Sequence, residues 1–579
     1  MHYRAPLDDI LLQLRLAAGP GACEAAGLYA DLAGGIAEQT LGEAAHFAET
    51  ALLPLDRTGD RIGVAYANGA VTTAPGWREA YAQWRAGGWN ALAAAPEHGG
   101  LGLPTLLNMG CTEIWNAANM AFALCPLLGQ GAIEAIEAHA DAALKDLYLP
   151  RIVSGEWTAT MNLTEPQAGS DLALLRTRAE ASDGGAWRIF GQKIYITYGE
   201  HDLADNIVHL VLARLPDAPA GTRGISLFLV PKFLPDETGA FTKRNDLRCT
   251  GVEHKLGVHG SPTCVMSYGD AGGAIGYLVG AANEGLACMF TMMNNARLAV
   301  GMQGVAIGER ATQLARDYAR QRRQGRAAGV DGPAPIIKHP DVARMLLTMA
   351  SNTAAARAIC YETAVAIDRA RRETDPDAAA QAGERAGLLT PIAKAFSTDL
   401  ANETASLGVQ VFGGMGYIEE TGAAQLMRDA RICAIYEGTN GIQAIDLIMR
   451  KLPRADTLAW EIADMRDAAL QSPNPATGAA VEALASATEF ITAARATDIN
   501  AALAGATPYL RLFGLARGAT LLDRAARAAA IGENGAAADR WRILARFFAE
   551  NVAIAAPGLA CMVINGVAAI KDAERAFEA

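Results

Sequence analysis

The segment "AIYEGTNGIQA", residues 434–444, sets one carboxylate, Glu437, between the ring of Tyr436 and a Gly-Thr pair. Most glutamates are solvated surface residues, so what Glu437 does depends on the rest of the chain. Four further stretches carry residue types suited to holding a ligand. "MNLTEPQAGSD", Met161 to Asp171, gathers Thr, Gly, Ser and Asp around a proline. Such a turn offers hydroxyls and open backbone N–H groups to a polar ligand edge or a phosphate, the plainer alternative being an ordinary turn. "GQKIYITYG", Gly191 to Gly199, reads as a strand with Lys193, Tyr195 and Thr197 on one face and Ile194 and Ile196 on the other. A flat heteroaromatic cofactor stacks on such a ring and bonds to such a hydroxyl; the alternative is a half-buried strand. In "RDYARQRRQGR" the residues Arg316, Arg320, Arg322, Arg323 and Arg326 cannot all share one helix face. One of them is free to meet a phosphate, inward or toward a partner subunit, unless the segment is only a solvated basic helix end. "QVFGGMGYIEE", Gln410 to Glu420, permits close backbone approach to a ligand, but no expected strand precedes it as a dinucleotide fingerprint requires.

The elements that must position these residues fall into four blocks. Residues 1–157 are Ala-rich and helical in texture, as in "LGEAAHFAETALLPL", with a turn at "EHGGLGLP". Residues 158–275 turn to short β-branched and aromatic runs such as "NIVHLVLARL" and "GISLFLVPKF". Residues 276–452 return to helical spacing, with Leu286, Phe290, Met293, Ala296 and Val300 on one stripe, and 453–579 form an appended Ala-rich helical domain. The expected fold class is mainly α with a central β domain, ahead of a helical bundle and an appended helical domain.

Composition narrows the partners. Hydrophobic residues make up 51% of the 579 and charged residues 19%, which describes a globular protein. A formal net charge of -12 opposes a nucleic-acid backbone, and the nine scattered cysteines, never spaced as CxxC, indicate neither a disulfide frame nor a zinc site. Reduced thiols in a cytoplasm fit that pattern. The first residues, "MHYRAPLDDILLQL", lack the basic and apolar regions of a secretory signal. The apolar run "VAIAAPGLACMVINGVAAI", broken by Pro557, Gly558 and Asn565, reads as a buried helix pair rather than an integral membrane segment.

Together, "PEHGGLGLP", "LTEPQAGSD", "KIYITYG", "QVFGGMGYIEE" and "LMRDARICAIYEGTNGIQ" resemble the acyl-CoA dehydrogenase family in order and approximate spacing over residues 40 to 450. The resemblance implies a helical domain, a β domain and a four-helix bundle, with FAD between the last two. It implies that Met161, Asn162, Leu163, Thr164 and Ser170 line the flavin, Ser170 also touching the pantetheine of the substrate. Tyr195 stands where the family usually has a tryptophan against the isoalloxazine, next to Ile196, and Thr197 matches a threonine that bonds the flavin. Arg322, Gln410, Gly413 and Gly414 match residues that reach the FAD of a neighbouring subunit, which implies a homodimer or larger assembly. Thr439 matches a further FAD contact. Gly441 replaces a common glutamine, and Arg297 matches an arginine near the thioester, with Asn294 in place of a common acid.

Glu437 matches the family's catalytic base, with Gly438 beside the substrate. The α-proton of a thioester is weakly acidic, so the base must be desolvated and poised with a raised pKa while fixed donors meet the developing enolate. Tyr436 and a flavin supply the desolvation in that scheme, and the Glu437 N–H and a ribityl hydroxyl supply the donors. The implied reaction is α,β-dehydrogenation to a trans-2-enoyl-CoA, with electrons leaving through an electron-transferring flavoprotein. The leading "YRAPLDDILLQL" and the appended domain resemble the larger bacterial members, which include enzymes for 3-methylmercaptopropionyl-CoA and for long-chain fatty acyl-CoA. A sulfur-containing or short acyl chain is the first expectation. An acyl-CoA oxidase and a DNA-associated flavoprotein relative share the fold; the acidic balance opposes the latter.

Overall fold

In the computed structural model, which describes residues 3–24, 27–453, 455–531 and 535–578, the chain divides into two compact units. One comprises residues up to Ala45, Thr105–Ala117 and Arg297 onward; the other comprises His46–Pro104 and Ala118–Ala296.

The second unit holds the strands. They are β1 (Ala65–Ala67), β2 (Ala70–Thr72), β3 (Trp157–Asn162), β4 (Arg178–Ala181), β5 (Trp187–Thr197), β6 (Asn206–Ala213), β7 (Ser226–Pro231), β8 (Phe233–Pro235), β9 (Phe241–Arg244), β10 (Leu247–Val252), β11 (Thr263–Tyr268) and β12 (Ala274–Val279). Eight form one sheet in the order β10-β11-β5-β12-β7-β6-β3, with β4 added to β5. β3 and β6 run parallel and the other named pairs of this sheet run antiparallel. The apolar runs of β3, β6 and β7 are buried along their whole length, as expected of strands covered on both faces. A core of Ile189, Ile196, Val211, Phe228, Val230, Cys264 and Met266 fills the interior.

β5 departs from the expected alternation. Its register against β11 shifts between Cys264 and Met266, opposite Ile196 and Lys193. Tyr195 takes φ 62 within this bulge. The extra residue flips the faces, so Lys193 is fully buried while Tyr195 is 60% exposed. The two do not share a face.

The first unit is helical. The Pro340–Arg372 and Pro376–Phe412 helices form a long hairpin joined by three residues. The part of the Gly285–Gln321 helix that belongs to this unit packs against them through glycines: a Cβ at Gly301 would lie 2.8 Å from the carbonyl oxygen of Ala393, and one at Gly304 would lie 2.7 Å from that of Ser397. Only glycine lets these backbones approach so closely. The helices after residue 455 belong to this same unit. Gly514 of the Ala506–Ile531 helix seats on the Phe396 ring, which a Cβ would meet at 2.3 Å. An ion cluster ties them further: buried Glu362 accepts from Arg385 at 2.9 Å, from Arg517 at 3.5 Å and from Arg524. These three guanidiniums hold its carboxyl down at about 2 despite burial.

The apolar stretch near the C-terminus is helical, as Ala556–Asn565 and Val567–Lys571, but only one side of it is buried, through Ala556, Ala560 and Val563. Ile554, Met562 and Ile570 are each more than half exposed. Composition marks a helix as apolar without saying whether anything covers it. Thr105–His139 and Gly535–Asn565 are long and apolar enough to cross a membrane; 89% of the apolar window is buried within the fold in the former and 33% in the latter.

Candidate active site

The Ala423–Cys433 helix ends in a turn that carries Glu437 into the short Asn440–Asp446 helix. Glu437 has φ 54 and Gly438 φ 80, two consecutive left-handed residues. A non-glycine residue pays about 1–2 kcal/mol for that conformation, so neighbouring contacts must over-determine the turn. They do so at every position. Gln443 Nε2 donates to the Glu437 carbonyl at 2.9 Å. Lys394 Nζ donates to the Gly438 carbonyl at 2.9 Å and to Asn440 Oδ1 at 2.8 Å. Thr439 caps the short helix, its hydroxyl accepting from the Ile442 N–H at 3.3 Å. Upstream, the Tyr436 hydroxyl donates to Gln303, whose amide donates to Asn116 at 3.1 Å. At Gly438 a Cβ would meet Gln443 Nε2 at 2.8 Å.

Electrostatics poise the carboxyl. Burial pushes Glu437 up to about 7, against the lowering pull of Arg297 and Lys394. Arg297 is 5% exposed and pairs with Asp446 at 3.5 Å. Its own pKa is lowered by burial, against the raising pull of Asp446 and Glu437. A carboxyl titrating near neutrality, next to a buried cation, is suited to accept a proton from carbon. Arg297, Glu437, Gly438 and Thr439 thus lie together, with Gly441 exposed on the first turn of the helix. Asn294 is exposed.

Arg322, Gln410, Gly413 and Gly414 form a separate group. Lys394 and Phe412 lie on one helix 18 residues apart, which is about 27 Å at 1.5 Å per residue. Tyr318 and Phe412 stack at 4.0 Å and 14°, bringing the end of the Gly285–Gln321 helix against the end of the Pro376–Phe412 helix. Arg322 follows one turn later, its N–H on the Tyr318 carbonyl, and is exposed. Gln410, Gly413 and Gly414 are exposed there too, and a Cβ at either glycine would meet no described atom within 4 Å.

In the strand unit, the loop after β3 is held by a buried ion pair. Lys193 Nζ lies 2.9 Å from Glu165 Oε1 and donates to the Leu163 carbonyl at 3.0 Å. Glu165 also accepts from the N–H groups of Arg176 and Thr177, at 2.7 and 2.9 Å, and from the Thr177 hydroxyl at 2.5 Å. The Ile194 N–H closes the loop onto the Thr164 carbonyl at 2.9 Å. Met161 is buried, Thr164 partly buried and Ser170 exposed. The Asn162 side chain turns into the sheet, accepting from Tyr268 Oη at 2.8 Å, and the residue is fully buried. Ile196 is buried in the core, and the Thr197 carbonyl accepts from Thr160 Oγ1 at 2.7 Å. An exposed ring at Tyr195, hydroxyls at Thr164, Ser170 and Thr197, and a rigid loop form a donor set that fits a flat heteroaromatic group with polar edges.

Lys394, Asn440, Gln443, Glu165 and Lys193 were not marked as positioning groups by sequence. Lys394 left one signal, a lone lysine within the apolar "PIAKAF".

Comparison with known proteins identifies the family. Residues 38–156, 160–271 and 283–452 match the N-terminal, middle and C-terminal domains of acyl-CoA dehydrogenase, and 455–574 match an "Acetyl-CoA dehydrogenase C-terminal like" domain. The chain is similar to the 3-methylmercaptopropionyl-CoA dehydrogenase of Ruegeria pomeroyi, 47% identical over 530 residues and 89% of each chain. It is also similar to the structure of butyryl-CoA dehydrogenase from Megasphaera elsdenii, with 26% identity, TM-score 0.58, and 71% of this chain and 97% of that one covered. An acyl-CoA dehydrogenase from Bacillus anthracis, solved with FAD, shares the fold at TM-score 0.74 and 20% identity, over 93% and 89% of the two chains. The chain belongs to the acyl-CoA dehydrogenase family.

Proposed function

We propose that this chain dehydrogenates a short or medium acyl-CoA, 3-methylmercaptopropionyl-CoA first among them, with Glu437 as the base. The observation that carries the reading is the clamped left-handed turn that holds Glu437 beside Arg297 with its carboxyl titrating at about 7. Glu437 removes the α-proton, and the Glu437 N–H meets the charge that develops on the thioester oxygen. Bound FAD supplies the acceptor for the β-hydride. Met161, Leu163, Thr164, Ser170, Tyr195 and Thr197 bind and orient that cofactor, Ser170 and Arg297 orient the substrate, and Gly438 leaves it room.

The identity to the Ruegeria pomeroyi enzyme over 89% of both chains supports the sulfur-containing substrate. The second site group, with exposed Met415, Tyr417 and Ile418 beside Gly413 and Gly414, supports a homodimer in which Arg322 and Gln410 serve the partner's cofactor. Electrons leave through an electron-transferring flavoprotein, and the setting is acyl-CoA breakdown in the cytoplasm. Anaerobic titration of the yellow protein with butyryl-, octanoyl-, palmitoyl- and 3-methylthiopropionyl-CoA tests the reading. Bleaching by the short or sulfur-bearing chain is expected. A flavin that dithionite reduces but no acyl-CoA bleaches would overturn it.

A further inference from the structure

Lys394 stands on the Pro376–Phe412 helix with its side chain fully buried. Its two acceptors, the Gly438 carbonyl and Asn440 Oδ1, flank the turn that begins at Glu437. The Asn440 amide is itself locked: its nitrogen donates to the Ala395 carbonyl at 3.2 Å, Thr398 Oγ1 at 3.0 Å and Asp399 Oδ1 at 2.7 Å. The lysine is therefore anchored at its tip by groups that belong to the turn or are fixed to it. A buried ammonium is costly unless its interactions offset the lost hydration, and an apolar residue would pack this helix without that cost.

We propose that Lys394 is a positioning residue for the base, holding the Glu437–Gly438 turn in its left-handed form through the Gly438 carbonyl and keeping Glu437 ionisable at neutral pH. The inference rests on Glu437 being the base. Lys394 acts through the turn and through its charge. The charged and titratable groups around it are Cys433 from the Ala423–Cys433 helix, Glu437 on the turn, Asp399 five residues along its own helix, and Arg297 from the Gly285–Gln321 helix, with Tyr436 next to Cys433 and Glu437. Asp446 and Arg450 lie beyond Arg297. Burial lowers Lys394 to about 8, which leaves it mostly charged at the midpoint of the Glu437 titration, about 7. Removing that charge raises the Glu437 pKa, because a nearby cation favours the carboxylate.

The test compares Lys394→Met and Lys394→Gln with the parent, each as the FAD-loaded full chain. The readouts are FAD content and the pH dependence of flavin reduction by an acyl-CoA. In both variants the acidic limb of the rate profile is expected to move up by about one pH unit. Above that limb, Lys394→Gln, which still donates to the Gly438 carbonyl, is expected to reach the parent rate, while Lys394→Met stays roughly tenfold lower. If Lys394→Met does not retain FAD, Lys394→Gln carries the comparison alone. An acidic limb unmoved in a variant with full FAD content would overturn the proposal, since a merely structural lysine leaves the limb in place. Glu437→Gln is run in parallel: reduction at the parent rate there would overturn the base assignment itself, a result distinct from an unmoved limb.

Discussion

Glu165 and Lys193 form a 2.9 Å ion pair, with side chains 3% and 0% exposed, that staples the loop after β3 to the bulged strand β5. The carboxyl is held down at about 2, its burial outweighed by Lys193, the Thr177 hydroxyl and the Arg176 N–H. Its folded pKa lies below the ordinary 4.5 of a glutamate. The stability it contributes is therefore fully present above pH 4.5 and is lost as the pH falls toward 2.

Lys193→Met leaves that carboxylate buried without its cation, at a cost of about 3–5 kcal/mol. Urea unfolding at pH 7 is expected to report this loss together with reduced FAD content, because the loop carries Thr164 and Ser170. Parent-like stability and FAD content would show that the pair has no hold on the loop.

Glu437→Gln is expected to retain FAD and to slow flavin reduction by roughly a thousandfold, the scale of a lost general base. In the parent, reduction rises with pH through about 7 as the carboxyl ionises. Because this folded pKa lies above that of an unfolded glutamate, the stability cost of ionising Glu437 grows as the pH rises from 4.5 to about 7 and is complete above that. Glu437→Gln is thus expected to raise the melting temperature more at pH 8 than at pH 5; equal shifts at both pH values would contradict the raised pKa.

Gly438→Ala asks a residue with a Cβ to adopt φ 80 and to share space with Gln443 Nε2. The strain is about 1–2 kcal/mol, and Gln443 must release the Glu437 carbonyl. Stopped-flow flavin reduction is expected to fall by on the order of tenfold with FAD content unchanged. A parent-like rate would mean that the turn tolerates distortion.

Tyr417 is 85% exposed and flanked by exposed Met415 and Ile418. If a second copy covers this patch, Tyr417→Asp shifts the dimer toward monomer at micromolar protein, as measured by sedimentation velocity, and lowers FAD retention with it. An unchanged assembly would remove this patch from the interface.

Much of the strand unit was legible because β-branched and aromatic runs alternate with turn formers, and Glu437 stood out through the motif around it. The left-handed φ of Glu437 was not legible, since it follows from Lys394 and Gln443, which approach from other elements. Lys193 was placed on the wrong face because one bulge reverses the period of a strand, and nothing in "GQKIYITYG" announces a bulge. The run near residue 560 was expected to be buried because composition records apolarity and not the presence of a covering surface. Acyl-chain preference resisted reading for an energetic reason: one methylene of pocket depth is worth about 1–3 kcal/mol and can rest on a single side chain.

Gly301 and Gly304 stand four and seven residues after Arg297, on the same side of their helix, and seat it against the backbone at Ala393 and Ser397. A seam of backbone on backbone has no side chains to rearrange, so mutational drift cannot absorb an added atom there by repacking. Any substituent pries the two helices apart and moves Arg297 from Glu437 as a lever would. The distance between this cation and the carboxylate is thus set by two absent side chains, at Gly301 and Gly304, rather than by any contact the site itself makes.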